Sequence, residues 1–167
     1  MKNIGLIYGS DSGNTEDVVK RLAALLGKDN VDILEVTQSS VEEVASYEKL
    51  ILASSTWGDG DLQSDWDDFS SKLDDIDFKG KTVALVGLGD QDSYGDSFCD
   101  SIFLLHDKVK EANLIGQTST DGYEFDDSRA VVDEMFLGLA IDEDNQDELT
   151  DERLENWVSQ IKSDLGI

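Results

Sequence analysis

The sequence predicts an α/β fold of three layers, in which a five-stranded parallel sheet is doubly wound with helices on both faces. Three observations predict it. β-Rich apolar runs alternate with segments of helical period along the whole chain, the order that a parallel sheet covered on both sides requires. At 167 residues the chain is long enough for one domain with a real core and too short for two, so residues 1–167 are read as a single domain. No repeat, low-complexity tract or linker interrupts it, and proline is absent, which leaves the turns to Gly, Asp, Asn and Ser.

The expected strands are Ile4–Tyr8, 31–36, 50–54, Thr82–Leu88 and a broken fifth made of 114–116 and Leu139–Ile141. After the first strand, residues 17–26 place Val18, Val19, Leu22, Ala23, Leu25 and Leu26 on a wide apolar stripe, and Gly27 follows where a C-terminal cap is wanted. Residues 41–47 and 65–73 predict shorter helices, and 98–112 a longer one carrying Ile102, Phe103, Leu105 and Val109. The last helix is the clearest: Thr150 is its expected N-cap, acids fill its first turn, Leu154, Trp157, Val158, Ile161 and Leu165 recur at helical spacing, and Gly166 closes it. Residues 118–138, mostly polar, fall inside what should be the final strand. Connections of that length are usually functional or docking insertions, and Tyr123, Phe125, Met135 and Phe136 predict that this one packs on the domain.

Charge narrows the function. Lys and Arg total 13 against 38 Asp and Glu, a net charge of −25, which repels phosphate backbones and anionic lipid and favours a basic protein as partner. The lone Cys99 allows neither an intramolecular disulfide nor a Cys-based zinc site, and no acidic group has the spacing of an EF-hand, so no metal is expected. His106 and Cys99 read as packed or part-exposed helix residues. No apolar run approaches the length of a membrane span and the N-terminus lacks a signal pattern. The expectation is a soluble, cytoplasmic monomer.

Ligands of open α/β sheets bind beyond the carboxyl ends of the strands, which directs attention to three loops. The first, Gly9-Ser10-Asp11-Ser12-Gly13-Asn14-Thr15, leads into a helix N-terminus and offers hydroxyls, an amide and backbone N–H groups, which suit a phosphate held by neutral donors. It lacks the Lys of a Walker loop and the glycine spacing of a dinucleotide fingerprint. Alone, it fits an ordinary capped turn equally well. The second, Ser55-Thr56-Trp57-Gly58-Asp59-Gly60, and the third, Gly87-Leu88-Gly89-Asp90-Gln91-Asp92-Ser93-Tyr94-Gly95, each carry one aromatic ring. Either ring alone reads as cover for the sheet's end. Beside a phosphate-type loop, the two together point to a ligand with a phosphate at one end and a planar heterocycle at the other.

These segments resemble the flavodoxins, specifically the long-chain subgroup. Ser10-Asp11-Ser12-Gly13-Asn14-Thr15 is similar to the family's Thr/Ser-x-Thr-Gly-x-Thr, with Ser standing for Thr at two positions. The Thr56-Trp57 loop, Gly89-Asp90-Gln91 with Tyr94, and the stretch Gly138 to Gln146 also resemble family segments, and 118–138 resembles the long-chain insertion. The resemblance implies strand order 2-1-3-4-5 and a non-enzymatic, low-potential one-electron carrier with non-covalently bound FMN. Carried over residue by residue, Ser10 to Thr15 would hold the phosphate, and Trp57 and Tyr94 would stack on the inner and outer faces of the ring. The Gly58–Asp59 peptide, with Gly60, would reorient to accept a hydrogen bond from flavin N5–H, which Gly58 makes easy. Leu88, Gly89 and Asp90 would meet the pyrimidine edge, with Ser97 and Phe98 nearby, and Asp144 the ribityl chain. Ser55 stands where many members have Pro.

The protein then selects among the oxidised, semiquinone and hydroquinone states. Asp59, Asp61, Asp65, Asp67, Asp68, Asp90, Asp92, Asp96 and Asp100 crowd the expected rim. One carboxylate roughly 12 Å away, at an effective dielectric near 20, costs about 1.4 kcal/mol, or about 59 mV for one electron, and so lowers the second potential. The same rim would steer basic redox proteins, such as a ferredoxin/flavodoxin-NADP reductase. A receiver domain is set aside because Tyr8-Gly9-Ser10 and Ser54-Ser55-Thr56 stand where it needs acids. A two-electron FMN quinone reductase and a binding module without redox function are the remaining alternatives.

Overall fold

The computed structural model describes residues 2–167. Five strand positions build the central parallel sheet: β1 (Ile4–Tyr8), β2 (Val31–Glu35), β3 (Lys49–Trp57), β5 (Thr82–Leu88), and a last position shared by β6 (Asn113–Ile115) and β10 (Leu139–Ile141). β6 pairs with the first half of β5 and β10 with the second, in the order β10-β5-β3-β1-β2, so the expected 2-1-3-4-5 order and its interrupted fifth strand are both present.

Each strand alternates its side chains between two cores. Ile7, Leu50, Leu52, Val83 and Leu85 face α3 (Ser64–Leu73) and α4 (Asp100–Val109), while Leu6, Ile51, Ala53, Ala84 and Val86 face α1 (Asn14–Leu26) and α5 (Thr150–Leu165). Both faces are therefore dry, and all of β1 is buried. The short α2 (Val41–Ala45) covers the near edge, capped by the Ser40 hydroxyl, which accepts from Glu43 N–H at 3.1 Å. It stops two residues short of the expected 41–47. Tyr47 instead packs over Gly5, where a Cβ would come within 2.9 Å of the ring.

Three boundaries differ from expectation for identifiable reasons. Thr150 is the first residue of α5 rather than its cap; a 3-10 turn over Asp147–Leu149 precedes it, and its hydroxyl donates to Glu143. α4 begins at Asp100, because the insertion pulls Phe98 out of helical geometry: Phe98 N–H donates to Asp127 O at 3.2 Å, and Ser128 Oγ donates to Phe98 O at 2.6 Å. β3 runs past Ser54 to Trp57 and turns back through Gly60 into β4 (Asp61–Leu62) as an antiparallel hairpin.

The insertion forms its own small antiparallel sheet, with β9 (Met135–Phe136) between β7 (Thr118–Ser119) and β8 (Val131–Val132). It packs as predicted. Phe98 meets Phe125 with ring centroids 5.3 Å apart, Tyr123 meets Phe136 at 5.1 Å, and Tyr123 donates to Ala140 O at 2.6 Å; Met135 alone of the expected anchors is exposed. Among the described residues no helix is long and apolar enough to cross a membrane.

Candidate functional site

At the carboxyl end of the sheet, the loops after β1, β3 and β5 surround a cleft of about 330 Å³. Ser12, Asn14, Ser55, Thr56, Trp57, Gly58, Leu88, Gly89, Asp90, Tyr94 and Asp144 line it, and all of them are candidates picked out from the sequence. The remaining candidates, Ser10, Asp11, Gly13, Thr15, Asp59, Gly60, Ser97 and Phe98, lie outside that lining. A larger groove of about 850 Å³ sits at the β2 edge, lined by Lys2, Lys28, Ile33 and Tyr47 among others, away from these loops.

The first loop is a turn built to start a helix. Gly13, at φ 89°, occupies the left-handed region, and its N–H donates to Ser10 Oγ at 3.0 Å. Asp17 N–H donates to Gly13 O, so the amides of the first α1 turn have no partner within the helix and point outward with the positive end of its dipole. Thr15 is buried beneath them. Asp11 turns its carboxylate sideways, accepting from Gln63 Nε2 at 3.0 Å, so its side chain braces the loop.

The second loop is the hairpin. Trp57 is 45% exposed, and its indole N–H donates to Ser55 Oγ at 2.7 Å, which fixes the ring's direction. Gly58 and Gly60 have φ of 53° and 106°, and Gly60 N–H donates to Trp57 O at 3.2 Å to close the turn. The Thr56 hydroxyl donates to Ser101 Oγ at 2.9 Å, tying the hairpin to α4.

The third loop carries Tyr94, 51% exposed, whose N–H donates to Asp90 O at 2.9 Å. Burial pushes the Asp90 carboxyl up, but N–H donation from Ser93, Asn145 and Asp92 prevails and holds its pKa below the ordinary value. Asp144 goes the other way: burial and the neighbouring charges of Asp90, Asp142 and Glu143 raise it. Behind the loop lies Asp142, fully buried. It accepts from Gln91 N and Nε2 (3.1 and 2.7 Å) and from the Asp144 and Asn145 amides (3.1 and 3.0 Å).

Residues 6–157 match the flavodoxin family model. The chain belongs to the flavodoxin family. A flavodoxin of Helicobacter pylori is 48% identical over 166 residues, covering 99% of this chain and 100% of that protein. Flavodoxin 1 of Escherichia coli K12 is 46% identical, covering 98% of this chain and 94% of its own. The crystal structure of Fusobacterium nucleatum flavodoxin bound to flavin mononucleotide superposes with a TM-score of 0.93 at 37% identity, over 98% of this chain and 99% of that one. Flavodoxins are electron-transfer proteins rather than enzymes, so the cleft is to be judged on what it holds.

The Phe98 ring is buried against Tyr123, Phe125 and Phe136 as a core anchor of the insertion, which leaves only its backbone to face the cleft loops. One expectation for this flavodoxin needs correction. Asp100 is not a rim charge: it is buried and paired with Arg129, Nε to Oδ2 at 3.0 Å, so the insertion neutralises it. Sequence reading missed Gln63, and it met Gln91, Asp142 and Glu143 only within family-like segments, without a role for any of them. Gln63 is buried, and besides holding Asp11 it accepts from Asp65 and Trp66 N–H to cap α3, so it joins the first and second loops. Its only sequence signal is a polar residue immediately before an amphipathic segment.

Proposed function

We propose that this chain is a long-chain flavodoxin carrying FMN as a one-electron shuttle between redox proteins, with residues 1–167 acting as one monomeric domain in the cytoplasm. The observation that carries the reading is the convergence of two exposed rings, Trp57 and Tyr94, on a cleft that also receives Ser12 and Asn14 from the start of α1. The donor set fits the cofactor. The loop from Ser10 to Thr15 offers hydroxyls, an amide and helix-start N–H groups to a phosphate, without a cation that would overbalance the flavin's charge. Ser97, three residues beyond Tyr94, has a buried hydroxyl with no partner among the described residues, an unmet demand that a bound polar group relieves.

Bound FMN supplies the redox chemistry, and the protein's residues orient it. Trp57 and Tyr94 clasp the ring, and Ser55 and Thr56 support the Trp57 side. The Gly58–Asp59 peptide, with Gly58 and Gly60 both at positive φ, would be free to offer its carbonyl to a flavin ring nitrogen. Backbone at Leu88, Gly89 and Asp90 meets the pyrimidine edge, and Asp144 the ribityl chain. The exposed carboxylates of Asp59, Asp61, Asp67, Asp68, Asp92 and Asp96 disfavour added negative charge on the ring and steer basic partners, a ferredoxin/flavodoxin-NADP reductase among them.

Stepwise reduction of the purified protein, followed by its visible spectrum, tests this reading. Two separated one-electron steps are expected, the second strongly reducing. A single two-electron wave, or protein that stays colourless after FMN is added, overturns it.

A further inference from the structure

We infer that the insertion is a brace for both walls of the cleft and that Arg129 is its positioning residue on the Trp57 side. The inference rests on the proposed flavin reading for its consequence and on the chain alone for its geometry.

Arg129 makes a three-point attachment. Its backbone N–H donates to Asp100 Oδ1 at 2.8 Å, its Nε donates to Asp100 Oδ2 at 3.0 Å, and its Nη2 donates to Gly60 O at 2.9 Å. The guanidinium also lies over the Phe103 ring, 5.4 Å from its centroid. One planar fork therefore joins a buried carboxylate on α4 to a carbonyl of the hairpin turn, which a Lys ammonium cannot do in the same geometry. The turn lies flush on this pair: a Cβ at Gly60 would be 2.5 Å from Asp100 Oδ2 and 3.1 Å from Arg129 Nη2. With Gly60 N–H bonded to Trp57 O, fixing Gly60 fixes the base of the Trp57 wall and leaves the Gly58–Asp59 peptide as the movable link between two held carbonyls.

The opposite wall is held by the same stretch of chain. Asp126 and Asp127 N–H donate to Gly95 O at 2.7 and 2.9 Å, directly after Tyr94, and Glu124 N–H donates to Gln91 Oε1 at 2.6 Å. Residues 124–129 thus span the outside of the cleft and grip a backbone carbonyl on each side. The width between the rings is then a property of the insertion as well as of the loops that carry them.

Amide hydrogen exchange on full-length protein, with and without FMN, and FMN titration test the inference on Arg129→Gln and Arg129→Lys. Losing a charge-assisted bond at Gly60 should raise exchange at 58–62 by about tenfold or more in the flavin-free protein, with α1 and α5 unchanged, and should weaken FMN binding by a similar factor. Arg129→Lys should recover only part of either effect. Should Arg129→Gln unfold because Asp100 is left unpaired, the Arg129→Gln/Asp100→Asn double variant removes the stranded charge and is read in the same way. Unchanged exchange at 58–62 in whichever variant folds overturns the inference. Faster exchange there in the Arg129 variants, when the unsubstituted protein itself binds no FMN, sustains the brace and sinks only the flavin reading.

Discussion

The two walls of the cleft are fastened by different chemistry. On the Trp57 side, Asp100 meets a cation, Arg129, and the turn rests on that ion pair. On the Tyr94 side, Asp142 is just as deeply buried but is satisfied by neutral N–H groups of Gln91, Asp144 and Asn145. An ion pair depends on its one partner, and breaking it leaves a charge stranded. A carboxylate held by several amides spreads the same demand over many weaker donors, so no single contact is decisive except the carboxylate itself. In a chain of net charge −25, the second solution also spares a scarce cation.

The largest effect should come from removing that carboxylate. Asp142→Ala leaves the buried Gln91 donors unpaired and releases the half-exposed Asp144 and Asn145 amides, and about 2–3 kcal/mol of stability is expected to be lost, measured as a shift of the urea midpoint. Asp142→Asn, which keeps one acceptor, should lose less. If both variants unfold at the wild-type midpoint, the Asp142 carboxylate is not what fastens the Tyr94 wall.

Much of this arrangement could be read from the chain, and the part that could not has a common cause. The strands were legible because their runs are apolar, and Trp57 and Tyr94 because a large ring beside Gly and Asp has no core to enter. The hairpin end of β3 was not, since Thr56 and Trp57 pair with β4 through backbone bonds that carry no hydropathy pattern. The fasteners were hidden for a further reason: Gln63 reaches Asp11 across 52 residues, Gln91 reaches Asp142 across 51, and Arg129 reaches Gly60 across 69. A polar side chain's neighbours in sequence say nothing about a partner that far away, so Asp100 looked like one more surface acid. Ser10 to Thr15 was legible as a turn and helix start because those preferences are local. Its junction with Gln63 was not.

The rings themselves provide the next comparison. On the proposed reading, Trp57→Ala should weaken FMN binding by about 2–3 kcal/mol, or about 30- to 150-fold, because it removes the larger apolar face together with stacking. Tyr94→Ala should cost about 1–2 kcal/mol, the ring being smaller and more exposed. Fluorescence titration of the flavin-free protein reads both constants. Equal losses at the two positions would mean that the walls contribute alike and that their different anchoring has no bearing on affinity.

The smallest expected effect is the dependence on pH, and it separates two carboxylates of the Tyr94 wall by sign. The folded protein holds Asp90 below its ordinary pKa, so its contribution is present above the unfolded value of about 3.9 and is lost as pH falls through the folded one. Asp144 is held above its ordinary pKa, so its contribution is present at acid pH and is lost as pH rises through the folded value. Asp90→Asn should therefore flatten the acid limb of a stability–pH profile, by under about 1 kcal/mol for a group this near solvent. Asp144→Asn should instead raise stability at neutral pH, by a similar or smaller amount, because it removes a charge crowded by Asp90, Asp142 and Glu143. Denaturant midpoints from acid to neutral pH distinguish the two, and opposite slopes at these neighbouring positions are what local hydrogen bonding to one and like-charge crowding of the other require. Parallel slopes would mean that the overall negative charge, and not the donors around Asp90, sets the titration of the wall.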